Sequence, residues 1–299
     1  PQAFFDALAF RGMKGAVTAS LRSGTFPVRA TLLASIRTGA AAPNPAATPL
    51  RIVGADPADR PVLVSSGVTA TENHVLRVDD LDHVQLAGLD FETAGGGDFG
   101  TALVLNSVGS GADDLTVSDC TFTGAVATFS QSRSLVRVLG AVNDRFTVQN
   151  STFTRGTYGI HFVSGTGPTG AVISSNDFAE QFNYAVAGRP NEIVIEDNTF
   201  QSASAFGGAI ELLGGTGYTI RRNRISMTSA GSGINLSGMT GTVAAPGRIE
   251  NNLVEAARPL MLSGPNAGTT NARIVHNTLY ASGFGSREPL IVGPGSSSI

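Results

Sequence analysis

FTVQNSTF at 146–153, AVISSNDF at 171–178 and IVIEDNTF at 193–200 are versions of one eight-residue segment. An apolar residue sits five places before the closing Phe, and a polar one, Ser151, Asn176 or Asn198, two places before it. The same frame recurs as VQLAGLDF ending at Phe91, LTVSDCTF at Phe122, YTIRRNRI at Ile225, GRIENNLV at Val254 and ARIVHNTL at Leu279. Closing residues are 22 to 31 apart while the segment keeps its length, so insertions are confined to connecting loops.

Each segment begins with alternation around Leu86, Val117, Val148, Ile173, Ile195, Ile220, Ile249 or Ile274. Alternation over so few residues predicts a short strand with one buried face. The polar column holds Asn176, Asn198, Asn223, Asn252 and Asn277, preceded by Leu89, Cys120 and Ser151. Asn tolerates left-handed backbone and its amide can satisfy main-chain groups, so the column predicts sharp bends stitched into an asparagine ladder. A second apolar stretch follows each bend, as at 135–138, 159–163, 185–187 and 209–213, bracketed by Gly or Pro. One coil is therefore read as a strand, a bend, a second strand and a returning loop. Eight such coils stack at about 4.8 Å each into parallel sheets. Phe122, Phe153, Phe178 and Phe200 should form one interior row.

These V-x-I-x-x-N-x-F segments with intervening strands resemble the right-handed parallel β-helix repeat of the pectate-lyase-like superfamily. The resemblance covers about residues 80–293 and implies an all-β, single-stranded right-handed parallel β-helix. It implies little about activity, because that superfamily spans lyases, hydrolases, epimerases, adhesins and passive stalks. One domain is expected over 1–293. Residues 1–79 form the N-terminal cap and irregular first coils, with Ser23–Phe26 a turn and 39–49 a loop. Phe4, Phe5 and Leu8 at helical spacing suit a short helix closing the first coil. Residues 294–299 read as a linker or frayed tail, as in a chain joined to further domains.

Composition narrows the partners. Twenty basic against 23 acidic residues give a net charge of −3, which leaves no basic surplus for nucleic acid. No apolar run is long enough to insert in a membrane. Cys120 is the only cysteine, so internal disulfides and multi-thiolate zinc sites are excluded, and it is read as an inert buried thiol.

A filled interior leaves chemistry to outward positions. The middle residues of successive second strands are Val104, Arg137, His161, Val186 or Ala187, Glu211, Asn235, Met261 and Ile291. Arg137, His161, Glu211 and Asn235 form the polar centre of that row, with Arg133, Tyr158, Tyr184 and Arg189 at its border. Arg suits a carboxylate, His or Tyr can move a proton, and aromatic rings stack on sugars. Arg137, His161 and Glu211 are thus the catalytic candidates, and the wider set the ligand-binding candidates. The preferred partner is a polysaccharide or cell-surface glycan. The leading function is a secreted or surface-displayed bacterial module that binds glycan or acts as a rigid spacer or adhesion part. The alternative is a polysaccharide lyase acting on a uronate polymer. No cofactor is required. Asp82, Asp113, Asp114, Asp144 and Glu192 precede successive first strands and stack along one corner; a solvated acidic edge is the preferred reading, with Asp82, Asp114 and Asp144 as candidates for calcium.

Overall fold

The computed structural model describes residues 2–11, 13, 15–33, 49–65, 73–93, 100–106, 111–125, 130–140, 143–163, 168–203, 206–228, 231–263, 269–282, 288–294 and 296–297. Three parallel sheets, each of ten strands among the described residues, run the length of the molecule. The first extends from Val17–Leu21 to Ala272–Val275, the second from Gly24–Pro27 to Thr278–Ala281, and the third from Ala30–Leu33 to Leu290–Val292. A coil takes one strand from each sheet, for example Thr147–Gln149, Thr152–Thr154 and Tyr158–Phe162.

Each coil thus has three strands rather than two. The eight-residue segment breaks at its bend, and its closing residue belongs to a separate strand. The break follows from a left-handed residue at this bend in successive coils: Asp119, Asn150, Ser175, Asp197, Arg222, Asn251 and His276 have φ between 51° and 58°. That residue immediately precedes the polar column. The column asparagines are therefore kept for their amides and not for left-handed backbone. The irregular first coils expected before residue 80 pair in register with the eight matched ones, giving ten coils among the described residues. Gly24–Pro27, expected as part of a turn, is a strand whose Thr25 and Phe26 pair with Val62 and Leu63. Residues 39–48 of the expected loop lie outside the described residues.

Phe91, Phe122, Phe153, Phe178 and Phe200 form one interior row, with ring centroids 4.7–5.0 Å apart and planes within 12° of parallel. All are fully buried. Burying one such ring is worth about 2–3 kcal/mol, and stacking adds roughly 0.5–1.5 kcal/mol. The helix Gln2–Arg11 closes the first coil by burying Phe5 and Leu8 in the same core, while Gln2 Oε1 accepts from the Arg29 amide. At the other end Ser297 pairs with Thr270, and Ser296 Oγ donates to the Leu262 carbonyl. Those two residues of the expected tail continue the coil pattern. No helix among the described residues is long and apolar enough to cross a membrane.

The ladder bonds explain the asparagine column. Asn223 Nδ2 donates to the Ile195 carbonyl one coil back and to Asn252 Oδ1 one coil ahead, while its Oδ1 accepts from the Asn198 amide. Asn176, Asn198 and Asn252 repeat the scheme, and Asn277 ends it. Asn223→Leu should cost about 1–3 kcal/mol, because it leaves buried main-chain groups unsatisfied. Urea unfolding should show the loss as a lower midpoint.

Candidate functional site

Strand pairing in the third sheet sets Val104, Arg137, His161, Ala187, Glu211, Asn235, Met261 and Ile291 side by side. Their neighbours in sequence, such as Val136, Val138, Ile160 and Ile210, fill the core, so alternation turns the row outward. Ala187, not Val186, holds the middle place.

For an outward face this stripe is unusually sheltered. His161 is 8% exposed and Tyr158 7% exposed. Tyr158 stacks on His161 with centroids 4.2 Å apart, and Asn183 Nδ2 donates to the Tyr158 hydroxyl at 2.6 Å. Ser134 Oγ lies 3.5 Å from His161 Nδ1. One coil further, Tyr184 pairs in register with Tyr158 and its hydroxyl hydrogen bonds to Glu211. Asn235 Nδ2 donates to Glu211 Oε1 at 3.2 Å. Gly208 makes room for this cluster: a Cβ there would fall 2.4 Å from the Tyr184 ring.

Shelter sets the electrostatics. Burial, and then the Arg137 charge, push His161 down to about 4, so its imidazole is neutral over the ordinary pH range. Burial raises the Glu211 carboxyl against the lowering effect of Tyr184 and Asn235. Tyr184 is pushed up to about 12 by burial and the Glu211 charge. Arg137 is lowered by burial.

His161 predicts a pH signature. The unfolded chain protonates this ring near 6.5 and the folded chain only near 4, so the folded state holds fewer protons between those values. Stability therefore falls on acidification through that window, by up to about 3 kcal/mol, and His161→Gln should flatten the fall. Glu211 works with the opposite sign. Its raised value makes the folded state hold a proton longer, so its contribution falls as pH rises past 4.5. Urea titrations of both proteins at pH 7 and pH 4.5 provide the check.

Arg137 is set apart by its burial, since exposed Arg51 and Arg273 also lack an ion pair among the described residues. Arg60 pairs with Asp90, Arg77 with Asp79 and Arg221 with Glu196. Among the described residues no carboxylate lies within ion-pair distance of Arg137, and its Nε is buried without a hydrogen-bond partner. Asn235 Oδ1 is likewise buried and unpaired. Direct contact between Arg137 and Glu211 does not occur, since they are separated by three coil steps, about 14 Å.

Arg189 follows the strand Tyr184–Gly188, is exposed, and makes no hydrogen bond with the stripe. Ser134 and Asn183 are the residues that sequence reasoning missed. Ser134 stands three residues before Arg137, and Asn183 directly before Tyr184, which belongs to the row in which Tyr158, Tyr184, Gly208, Ser232 and Arg258 pair in succession.

The acidic corner has structural partners. Asp82 Oδ1 accepts from the Asp113 amide, Asp113 Oδ1 from Asp144, and Asp144 Oδ1 from Thr169, which makes a second ladder. Asp114 is held low by its bonds to Arg145 and faces His83. Among the described residues no three His, Cys, Asp or Glu side chains group as metal ligands. Cys120 is buried and its thiol is pushed up to about 12 by desolvation, which suits an inert core residue.

The family model described as "Right handed beta helix region" matches residues 134–287, about half of the chain. The chain belongs to this right-handed β-helix family. No curated protein matches it in sequence. Among solved structures, a GH136 lacto-N-biosidase from Eubacterium ramulus superposes with a TM-score of 0.63 at 10% identity over 98% of this chain. The β-helix chain spans 62% of that enzyme's length. An alginate lyase from a Paenibacillus species gives 0.50 at 14% identity, covering 91% of this chain and 95% of the lyase. A DFA-IIIase from Arthrobacter chlorophenolicus without its lid gives 0.51 at 11% identity, covering 99% and 88%. At such identities these likenesses show the shared right-handed β-helix and leave the site to be read from its own residues.

Proposed function

We propose that the sheltered stripe of the third sheet binds an acidic glycan. The chain would then serve as the glycan-binding or adhesion part of a secreted or surface-displayed bacterial protein. The observation that carries this is Arg137, a half-buried guanidinium with no carboxylate of its own. Leaving a cation in that state costs free energy, and a ligand carboxylate in two-point contact would recover it. Tyr184, half-buried beside the stripe, would present its ring to a sugar, Tyr158 would hold His161 in place, and Glu211 with Asn235 would take hydroxyl groups three to four coils from Arg137.

A second reading is favoured by the neutral His161 beside Arg137. In a uronate polymer Arg137 would neutralise the carboxylate and stabilise enolate-like charge. The neutral imidazole would take the proton from the carbon next to that carboxylate, as a polysaccharide lyase requires, and the electron pair left behind would form a carbon–carbon double bond as the glycosidic oxygen departs and takes a proton from water. A glycan array carrying uronate and neutral polymers, followed by ultraviolet absorbance of any unsaturated product, separates the readings. Retention on uronates without product supports the binding module, and product supports the lyase. No retention on any glycan would leave a rigid spacer.

A further inference from the structure

A cleft of about 510 Å³ lies on the outer face of the first sheet, away from the stripe. That volume falls within the usual range for small-ligand sites. Its floor is Val194 and Thr219, and Glu192 stands at one end. Arg248 and Arg273 stand at the other, paired in register and both exposed. Three coil steps, about 14 Å, separate the Glu192 end from Arg273. The side wall is the insertion 241–246, which includes Ala244–Pro246.

Two features suggest more than an accidental groove. The wall is an ordered turn: the Thr242 amide donates to the Ala245 carbonyl and the Ala245 amide to Thr242 Oγ1. Yet its tip adds nothing to the core, because Val243 is 91% exposed. The arginine pair is also unequally neutralised. Like charges opposite each other in a sheet repel. Arg248 is answered by Glu250, through Nε to Oε1 at 2.8 Å, whereas Arg273 has no hydrogen bond or ion pair among the described residues.

We infer that this cleft is a second carbohydrate site, taking an oligosaccharide with a carboxylate on Arg273, a sugar face on Val194 and Thr219, and hydroxyl groups at Glu192. A chain engaged on two faces gains avidity for a polymer beyond either site alone. The inference does not need the stripe to bind anything, so the test is made with the stripe silenced by Arg137→Met. A galacturonate trisaccharide is titrated into that protein while the Val194 methyl and Thr219 amide resonances are followed. Saturable shifts at both are expected, weakened at least tenfold by Arg273→Ala and little changed by Arg51→Ala, an exposed arginine on the same face outside the cleft. Absent shifts would overturn the site. Equal losses from the two arginine changes would reduce it to diffuse charge attraction, and equal binding of the uncharged galactose trisaccharide would overturn the anionic ligand class. Because the readout lies on Val194 and Thr219, failure here is distinguishable from failure at the stripe.

Discussion

Phe153→Ala is expected to lower stability by about 3–5 kcal/mol. The ring is fully buried, and its neighbours in the row lie 4.8 Å away at Phe122 and 4.7 Å away at Phe178. Those neighbours cannot move in to fill the space. Their backbones are fixed one coil above and below by pairing of Phe153 with both. The cavity therefore stays open, and the cavity cost adds to the lost transfer free energy. Thr152→Ala on the outward side of the same strand is the control and should stay within about 0.5 kcal/mol. Urea unfolding monitored by circular dichroism measures both. A loss below about 1 kcal/mol for Phe153→Ala would mean that the row does not carry the fold.

That row was readable because its signal is local and repeated. Phe122, Phe153, Phe178 and Phe200 close the same segment in four coils, and the ladder asparagines sit at one offset from them. The three-strand coil was harder to see. The left-handed residue that splits each segment is Asp, Asn, Ser, Arg or His, so no single residue type marks it. The two earliest coils carry less of the pattern: both lack the ladder Asn, the second has Leu63 where Phe26 and Phe91 stand, and Gly24–Pro27 reads as turn chemistry although it is paired along its length.

Arg137→Met should act on binding and on stability with opposite signs. A carboxylate held by a sheltered guanidinium in two-point contact is worth about 2–5 kcal/mol when one partner is removed, so affinity for a galacturonate oligomer should fall by 30-fold or more. Without ligand the same change should raise stability by roughly 1 kcal/mol. Met keeps the apolar stem and removes a charge whose Nε is buried and unpaired. The half-exposed guanidinium keeps part of its hydration, which holds this gain near the low end of such replacements. Arg221→Ala, which breaks an existing pair with Glu196, should instead leave affinity unchanged. Thermal melts with and without the oligomer measure both effects. Lower stability together with unchanged affinity would mean that Arg137 is an ordinary surface residue.

The stripe itself was legible once the strands were placed, because outward positions follow from alternation. What alternation cannot supply is shelter. Nothing in the segment around His161 announces that Tyr158 will lie flat against it, or that Gly208 leaves room for Tyr184 to reach Glu211. The first joins residues three apart on one strand and rests on side-chain orientation, while Gly208 with Tyr184 and Tyr184 with Glu211 meet across neighbouring coils and depend on the stagger between them. The acidic corner shows the converse. Asp82 and Asp144 look like ligands in one dimension, but their oxygens accept amides from the next coil.

The position of a bound carboxylate tests the central claim most directly. A crystal structure of the protein with a galacturonate oligomer should place one carboxylate in two-point contact with Arg137 at about 2.8 Å. The oligomer should run along the coil axis past His161 toward Glu211. A carboxylate bound away from Arg137, with the stripe of the third sheet empty, would contradict the account.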